Sequence, residues 1–517
     1  MSFVSHTQFL ERFAFQLDPD HDFHLSGTPA AWSSGHSLEW TRLPENCTIK
    51  LPETEDKEDS SLDSAVSQDE TLLAVSTGGK ILIFDIETRE LRQQLDGGGK
   101  VFFRPYGRAE TGRDADADTV EGEEANKQTP KDPVYTLLSS APTDERTAGT
   151  VEPGLILWDL DKNGRLLDED EPLDAAAFAA TAVESIQQQL TTQHEWSADF
   201  IASSGLYANF TAALRKAETL HQTQHNTIFP GVCIGGFGSD PFSADGRRLV
   251  MLGYGQTTQS DMRESDALPE AVVWDLEAGQ ELFRLHGHTD AIMWVGFSPD
   301  SAHIATVSWD GTMRMHDGTS GALSWATENS GQQCWAAAFS PDSVNIVWSS
   351  AGGRTVSVHN VSNGGRVAVF PREFNLWSRS LSWNPDGRSI ALSTESTVYI
   401  WQPFHGLGDE SITLEVKLQV DDNIIRGFAA LDPVAWIDNG AKLAVGCSDG
   451  SVVVWDQQTN SKEAFLRPKG TLVGWSDSSF HFLGGKGYYV SCDGDDRVRF
   501  WRTSAPAFSS WWENKPV

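Results

Sequence analysis

The amino-acid sequence predicts an all-β repeat fold made of eight four-stranded sheets. A unit recurs at roughly the 40 to 45 residue spacing that such repeats show. Within the unit, tight turns containing Pro, Asp and Gly fall at a fixed offset. An aromatic residue followed by a polar one ends the third strand of each unit. Together these observations indicate one repeated antiparallel sheet.

The clearest unit starts at His286-Gly-His288. An apolar strand leads from there to the turn Ser298-Pro-Asp300, and a second strand ends at Ser308. The turn Asp310-Gly311 follows, and a third strand runs to Asp317. Short strands joined by tight turns of this kind form an antiparallel sheet.

Two features of this unit recur along the chain. The turn between the first two strands returns at Ser243-Ala-Asp245-Gly246, Ser340-Pro-Asp342, Asn384-Pro-Asp386-Gly387 and Ile437-Asp-Asn439-Gly440. The dipeptide that ends the third strand occurs at Phe84-Asp85, Trp158-Asp159, Trp274-Asp275, His316-Asp317, His359-Asn360, Trp401-Gln402, Trp455-Asp456 and Trp501-Arg502. A further dipeptide, Trp309-Asp310, falls in a turn and is not part of this series.

A Gly-His near the start of the unit and a Trp-Asp at the end of its third strand resemble the WD-repeat β-propeller family. The resemblance covers residues 64–505, although five of the eight units carry substitutes for Trp-Asp. It implies a ring of blades, and we expect eight blades rather than seven. The last unit supplies only three strands. In the family an N-terminal strand completes the last blade, so Ser37–Leu43 or Cys47–Leu51 is expected to do so here.

The predicted organisation has three parts. Residues 1–63 form an N-terminal segment with the ring-closing strand and an acidic linker, 64–506 form the propeller, and 507–517 form a Trp-rich tail. Within the propeller, 107–131 is acidic and lacks apolar periodicity, which predicts a disordered insertion. Residues 174–225 carry apolar side chains at helical spacing, which predicts an inserted helical segment. Its apolar faces either cover the side of the propeller or offer a groove to a partner.

The family resemblance also implies a hydrogen-bonded network of His, Ser or Thr, Asp and Trp within a blade. Only the fourth unit has most of these residues, namely His288, Ser308 and Asp310, and His316 replaces its Trp. We therefore expect packing to hold this blade together.

Charge and cysteine content restrict the class of function. The chain has 39 Lys and Arg against 73 Asp and Glu, a formal charge of −34, which argues against direct binding of nucleic acid or of anionic membranes. The five cysteines form no C-x-x-C pair, and we find no signal peptide and no apolar run of about 18 residues. We expect a protein of the cytoplasm, the nucleus or both that is not secreted.

Motifs with possible catalytic chemistry lack the context that this chemistry requires. Gly446-Cys-Ser448-Asp-Gly450 matches the G-x-S-x-G pattern of serine hydrolases but falls in a predicted turn between two strands. His221 and His225 have the spacing of zinc ligands, but Gln222 stands where a metalloprotease carries Glu. Lys100 of a glycine-rich stretch is followed by Val101 rather than Ser or Thr. We therefore expect no enzymatic activity and no cofactor.

The densest set of possible metal ligands lies near the N-terminus. It lacks the glycine turn and the spacing of a calcium loop, and we interpret it as a polar loop with no bound metal. Its members are Asp18, Asp20, His21, Asp22 and His24.

Candidate protein-binding residues lie where the loops of consecutive units are expected to emerge on one face. WD-repeat propellers resemble one another in binding partners through the face formed by the fourth-to-first connections and the second-to-third turns. Trp and Arg are the residue types that most often anchor a partner at such a surface. The candidates are Trp294, Trp309, Trp335, Trp377 and Arg379. Packing between blades is the alternative role for the tryptophans, and we assign Trp383 and Trp436 to it.

The function predicted from these features is a non-enzymatic scaffold or adaptor for other proteins, in keeping with membership of a multiprotein complex. The acidic charge also favours an escort for a basic client such as a ribosomal protein or histone. A ubiquitin-ligase substrate receptor is a further alternative, although the Trp-Asp-x-Arg signature often seen in such propellers is absent. A propeller enzyme is the alternative from another class.

Overall fold

The computed structural model describes a large part of the 517-residue chain. The described residues are 16–17, 23–33, 38–39, 47–52, 63–105, 134–141, 154–167, 226–253, 268–375, 377–394, 397–406, 408–419, 434–446, 452–466, 479–492 and 497–502. The predicted insertions at 107–131 and 174–225 and the tail at 507–517 lie outside these ranges.

Eight antiparallel sheets follow one another along the chain and form the blades of a propeller. The first strands contact each other in blades 8 and 1, 1 and 2, 5 and 6, and 6 and 7, which places the first strand innermost in these blades. Blade 1 comprises Asp63–Val66, Leu72–Thr77, Lys80–Asp85 and Leu91–Asp96. Blade 2 comprises Gly98–Phe103, Tyr135–Ser140, Gly154–Leu160 and Thr227–Pro230. Blade 3 comprises Val232–Cys233, Arg248–Gly253, Ala271–Asp275 and Gln280–Leu285.

The remaining blades follow the same plan. Blade 4 comprises Ile292–Phe297, His303–Ser308, Met313–Asp317 and Leu323–Ala326. Blade 5 comprises Ala337–Phe339, Asn345–Ser350, Thr355–Asn360 and Arg366–Val369. Blade 6 comprises Ser378–Trp383, Ile390–Thr394, Thr397–Trp401 and Ile412–Gln419. Blade 7 comprises Val434–Ile437, Lys442–Gly446, Val452–Asp456 and Ser461–Leu466.

Blade 8 is completed by the N-terminal part of the chain. Its first three strands are Ser479–Leu483, Tyr488–Cys492 and Arg497–Arg502, and Thr48–Lys50 is the fourth. Ile49 pairs with Val498 in antiparallel register. This strand belongs to the second of the two segments predicted to close the ring, and its pairing removes the free edge of the last blade.

The residues that precede this closing strand in the chain lie along the outer strands of blades 6 and 7. We call the described residues 16–17, 23–33 and 38–39 the N-terminal strap. Gln16–Leu17 pairs antiparallel with the outer strand of blade 6, whereas Ala31–Trp32 and Leu38–Glu39 pair parallel with that of blade 7. Between them, His24–Leu25 and Thr28–Pro29 form a short hairpin. The other predicted closing segment, Ser37–Leu43, therefore contributes its pairing residues to blade 7.

The third-strand dipeptide reflects two separate requirements. Its aromatic residue fills the space between blades, as Trp158, Trp401 and Trp501 show with at most 2% exposure. Each indole N–H is satisfied by a serine hydroxyl, for example Ser139 at 2.9 Å from Trp158. The following Asp starts the next turn, where the Asp317 carboxylate accepts the backbone N–H of Ser320 at 2.7 Å.

Helices are minor in the described part of the chain. It contains two short 3-10 helices, Gly408–Ser411 and Asp438–Gly440, and no α-helix. Among those same residues there is no helix with the length and apolar character required to cross a membrane.

Candidate functional site

Four of the five predicted binding residues converge at the face where the first strands begin. Trp309 lies in the second-to-third turn of blade 4, and Trp335 precedes the first strand of blade 5. Trp377 precedes the first strand of blade 6, and Arg379 lies within that strand. Phe237 reaches them from blade 3. We call these five residues the aromatic rim cluster.

Trp335 is the centre of the aromatic rim cluster. Its ring lies 5.4 Å from that of Trp309 at an interplanar angle of 70°. It also lies 5.4 Å from the ring of Phe237 and 5.7 Å from that of Trp377. Edge-to-face and tilted arrangements at these distances are favourable for aromatic rings. The cluster therefore joins four consecutive blades through one side chain.

Arg379 adds a positive charge to the cluster. Its guanidinium carbon lies 4.4 Å from the ring of Trp335 and 4.1 Å from that of Trp377. The ring of Phe237 is 5.6 Å away. A guanidinium between aromatic faces at these distances is stabilised by cation–π attraction. The side chain of Arg379 is thereby held in a defined position beside an exposed indole.

The side chains of the aromatic rim cluster differ in solvent exposure. Trp335 is only 7% exposed, Trp309 and Arg379 are half-buried, and Trp377 is 40% exposed. The fifth predicted residue, Trp294, is 4% exposed and lies in the core between blades 4 and 5 against Phe339, outside the cluster. Surface contact with a partner is therefore available at Trp377 without rearrangement.

Sequence reasoning missed Phe237. It lies between Gly235-Gly236 and Gly238, an aromatic residue isolated among glycines, and this signal could have found it. Its backbone has a positive φ of 50°, an uncommon conformation for a bulky residue. A hydrogen bond of 3.0 Å from Gly236 N–H to the Met293 carbonyl holds the segment against blade 4. This backbone conformation directs Phe237 towards the cluster.

Trp383 and Trp436, the two tryptophans assigned to the core, pack between blades. Trp383 is 7% exposed and donates to the carbonyl of Ala338 in blade 5 at 3.1 Å. Trp436 is partly buried and donates to Ser382 of blade 6 at 3.2 Å. Each indole therefore connects its blade to the preceding one.

Blade 4 contains a hydrogen-bonded network. His288 is 2.8 Å from both Asp310 and Thr306. Ser308 donates to the Asp290 carbonyl at 2.7 Å and accepts the backbone N–H of Asp310 at 3.0 Å. The expectation that packing takes the place of this network is therefore wrong for His288 and Asp310, and Thr306 rather than Ser308 is the hydroxyl partner of His288.

His316 lies apart from this network. Its Nδ1 is 3.3 Å from the Gly321 carbonyl, and burial lowers its pKa to about 4. His316 is therefore neutral at pH 7. It occupies the position of the third-strand aromatic and serves as packing there.

The motifs with possible catalytic chemistry fall in ordinary strands where the structure describes them. Gly446 ends the second strand of blade 7, and the other residues of the G-x-S-x-G match, 447–450, lie outside the described ranges. Gly98 and Lys100 lie in the first strand of blade 2. His221, His225, Asp18, Asp20, His21 and Asp22 are outside the described ranges, and His24 lies in the short N-terminal hairpin. Within those ranges, no group of three His, Cys, Asp or Glu is arranged to hold a metal ion.

A serine and a histidine meet between blades 1 and 8. The Ser64 hydroxyl is 2.8 Å from Nε2 of His481, and it also contacts the Ser479 hydroxyl. Burial lowers the pKa of His481 to about 4, which makes the imidazole a weak base at neutral pH. The Ser64–His481 hydrogen bond therefore connects the first strand of blade 1 to the first strand of blade 8.

Comparison with known proteins agrees with this architecture. The family model for the WD domain, G-beta repeat, matches residues 279–317 and 431–456. WD repeat-containing protein 1 of Gallus gallus is 26% identical over 242 residues, covering 44% of this chain and 36% of that protein. Coronin-7 of Rattus norvegicus is 47% identical over 51 residues, covering 10% of this chain and 6% of that protein.

These matches span about a third or less of the length of the curated relatives. Among solved structures, the computationally designed Ika8 protein has a TM-score of 0.48 and 16% identity, with coverage of 88% of this chain and 99% of that chain. The chain is an eight-bladed β-propeller, and two of its segments match the WD domain, G-beta repeat, which makes it similar to the WD-repeat β-propellers. Proteins of this class generally act as scaffolds that bind other proteins.

Proposed function

We propose that this protein is a non-enzymatic scaffold that binds partner proteins through the face that carries the aromatic rim cluster. The observation that supports this most directly is Trp377, which is 40% exposed and packed beside Arg379 and Trp335. Large aromatic residues and arginines near the centre of an interface contribute most of the binding free energy. Trp377 is the proposed anchor, and Arg379 and Trp309 extend its surface.

Charge supports a basic partner. A formal charge of −34 attracts Lys- and Arg-rich proteins over distances set by ionic strength. We therefore favour, as a more specific function, an escort for a basic client such as a ribosomal protein or histone. The scattered cysteines support a location in the cytoplasm or nucleus.

The test compares two exposed aromatic residues on opposite faces. Trp377→Ala removes the proposed anchor, and Phe404→Ala removes a side chain with 55% exposure in the connection after the third strand of blade 6. We prefer Trp377 to Trp335 because truncation of a buried indole leaves a cavity in the fold. Tagged full-length variants are used to isolate partners at low salt and at about 0.5 M salt.

We expect partners of the wild type to be retained by Phe404→Ala and lost by Trp377→Ala, with affinity reduced about 30-fold for a loss of about 2 kcal/mol. A basic client dissociates at the higher salt concentration. Equal recovery of the same partners by the two variants would show that the rim face is not the binding surface.

A further inference from the structure

The N-terminal strap follows the outer strand of blade 7 through main-chain hydrogen bonds. The backbone N–H of Ala31 donates to the Asn460 carbonyl at 2.9 Å, and that of Ser33 donates to the Lys462 carbonyl at 3.0 Å. Further along, Leu38 lies opposite Phe465 in parallel register. Blade 7 therefore accepts an added strand at its outer edge. Main-chain pairing of this kind depends weakly on the sequence of the added strand.

Asn460 provides a second contact with the strap backbone. Its side-chain amide donates to the carbonyls of Thr28 at 2.8 Å and Pro29 at 3.3 Å. Its carbonyl oxygen accepts the indole N–H of Trp455 at 3.2 Å. The amide is thus oriented by blade 7 and binds backbone atoms of the strap hairpin, which do not depend on the side chains at those positions.

Phe23 is the main buried anchor of the strap. It is 1% exposed, and its ring stacks on that of Trp455 at 5.7 Å with an interplanar angle of 17°. Apolar side chains of blades 6 and 7 complete the surroundings, including Leu414 and Val434. The two blades therefore form a pocket for one aromatic side chain, and burial of a phenyl group there stabilises the attachment of the strap.

Other parts of the strap contact the propeller at the surface. Leu25 in the hairpin is 42% exposed, and Trp32 is 44% exposed. The Lys462 ammonium lies 4.5 Å from the Trp32 ring, a cation–π contact at an exposed position. Each pairing of the strap with blade 7 involves two residues. Among the described residues, the contacts of the strap with blade 7 thus include buried Phe23 and Ala30, short stretches of strand pairing and the bonds to the Asn460 amide.

The strand that closes the ring and the N-terminal strap pair with different blades. The strand Thr48–Lys50 pairs with blade 8, and Leu51 is buried between blades 8 and 1. Both follow the strap in the chain and contact other blades. Release of the strap from blade 7 can therefore leave the ring closed.

We infer that the outer edge of blade 7 is a second partner-binding site, at the side of the ring, which the N-terminal strap occupies in the isolated protein. Its partner is a protein segment with an aromatic side chain for the Phe23 pocket, then a tight hairpin like that of the strap, and then a strand that pairs with Ser461–Lys462. A second aromatic residue, nine positions after the first as Trp32 is after Phe23, contacts Lys462. Such a partner binds by displacing the strap.

The test uses full-length variants and a labelled peptide with the sequence of residues 16–40 as the probe. Phe23→Ala removes the anchor, and Leu25→Ala is the matched control because its side chain is largely exposed in the same hairpin. We expect the peptide to bind Phe23→Ala at least ten-fold more tightly than it binds the wild type, and Leu25→Ala to match the wild type. The same peptide with Phe23 replaced by Ala is expected not to bind.

Amide hydrogen exchange gives a second readout that distinguishes the strap from the ring closure. In Phe23→Ala, exchange is expected to increase at 461–466 and to stay unchanged at 497–502. An increase at both segments would overturn the inference, because the strap and the closing strand would then detach together. Equal peptide binding by wild type and Phe23→Ala would also overturn it. If Phe23→Ala does not fold, Phe23→Leu is measured in its place under the same criteria.

Analytical ultracentrifugation of the wild type tests whether the strap of a second copy of this chain occupies the edge of blade 7. A monomer across the tested concentrations, together with peptide binding to Phe23→Ala, supports a partner segment. A dimer that Phe23→Ala abolishes would mean that the strap of a second copy occupies the edge, which would contradict displacement by a different protein. This test is independent of the rim face, since Trp377→Ala leaves the outer edge of blade 7 intact.

Discussion

The Asp310 carboxylate illustrates how single side chains stabilise a blade. It accepts hydrogen bonds from His288 at 2.8 Å and from the Thr312 hydroxyl at 2.6 Å. It also accepts the backbone N–H groups of Thr289 and Thr312. Burial alone would raise the pKa of this carboxyl, but these hydrogen bonds outweigh it and hold the pKa well below its ordinary value of 3.8.

We predict that Asp310→Asn lowers the free energy of unfolding by about 1–3 kcal/mol at pH 7. Because the pKa of Asp310 is lower in the folded state, the ionised form stabilises the fold above about pH 4, and this contribution is lost as the pH falls below that value. The difference between variant and wild type should therefore decrease in acid. Chemical denaturation at pH 7 and pH 3 measures it.

Glu328→Gln is the control for this prediction, because Glu328 is an exposed carboxylate in the same part of the chain. It should leave the unfolding free energy within about 0.5 kcal/mol of the wild type. A pH-independent effect of Asp310→Asn would show that the charge of Asp310 does not contribute.

Four of the five residues of the aromatic rim cluster could be predicted from the sequence, but their exposure could not. Periodicity within one unit places Trp335 and Trp377 near the starts of first strands, where the structure has them. Whether each indole is covered depends on other blades, since Phe237 and Arg379 pack on Trp335 from blades 3 and 6. Contacts between distant units leave no periodic signal in the sequence.

The turn between the first two strands shows how a repeated element is specified. In blade 4 the Ser298 hydroxyl donates to Asp300 at 2.5 Å and accepts the backbone N–H of His303 at 2.9 Å. The same bonds are made by Ser243 and Ser340 in blades 3 and 5. The fourth turn residue has a positive φ, 58° at Ser301, where blades 3 and 6 carry glycine. These local requirements explain why the turn motif could be recognised in the sequence.

We predict that Ser340→Ala lowers the free energy of unfolding by about 1–2 kcal/mol, because the buried hydroxyl both donates and accepts in the turn. Thermal denaturation followed by circular dichroism measures the change. Ser320→Ala is the control, since the Ser320 hydroxyl bonds to Asp317 in an exposed turn. Equal effects of the two substitutions would argue against a special role for the buried hydroxyl.

At the scale of the whole molecule, the ring depends on a contact between residues far apart in sequence. Leu51 is 1% exposed and packs with Leu73 and Phe84 of blade 1 and with Val490 and Phe500 of blade 8. It therefore connects the first and last blades beside the closing strand. Removal of its side chain leaves a cavity at the junction on which closure depends.

We predict that Leu51→Ala lowers the free energy of unfolding by about 2–5 kcal/mol and increases cleavage by proteases within the last blade. Leu323→Ala is the control, because Leu323 lies on the outer strand of blade 4 and is 49% exposed. Limited proteolysis and denaturant titration measure the two effects. Unchanged proteolysis of Leu51→Ala would indicate that pairing of Thr48–Lys50 alone closes the ring.

Blade number and ring closure were predictable because each follows from a repeated or missing strand. The eight third-strand dipeptides predicted eight blades, and the three-stranded last unit indicated that a strand from elsewhere completes it. The strap was not predictable, since Phe23 is an isolated aromatic residue within a polar stretch. Its pocket is formed by blades 6 and 7, more than 350 residues away in sequence.

Closure by Thr48–Lys50 has a consequence for the order of events during synthesis. The ribosome makes this strand early, but its partner Arg497–Arg502 appears only after all intervening blades have been translated. At ~5–20 residues per second, the strand waits for roughly 20 seconds to a minute and a half. During that interval an unpaired β-strand is exposed in the cell. Chaperone engagement of nascent chains is therefore expected to persist until the last blade has emerged.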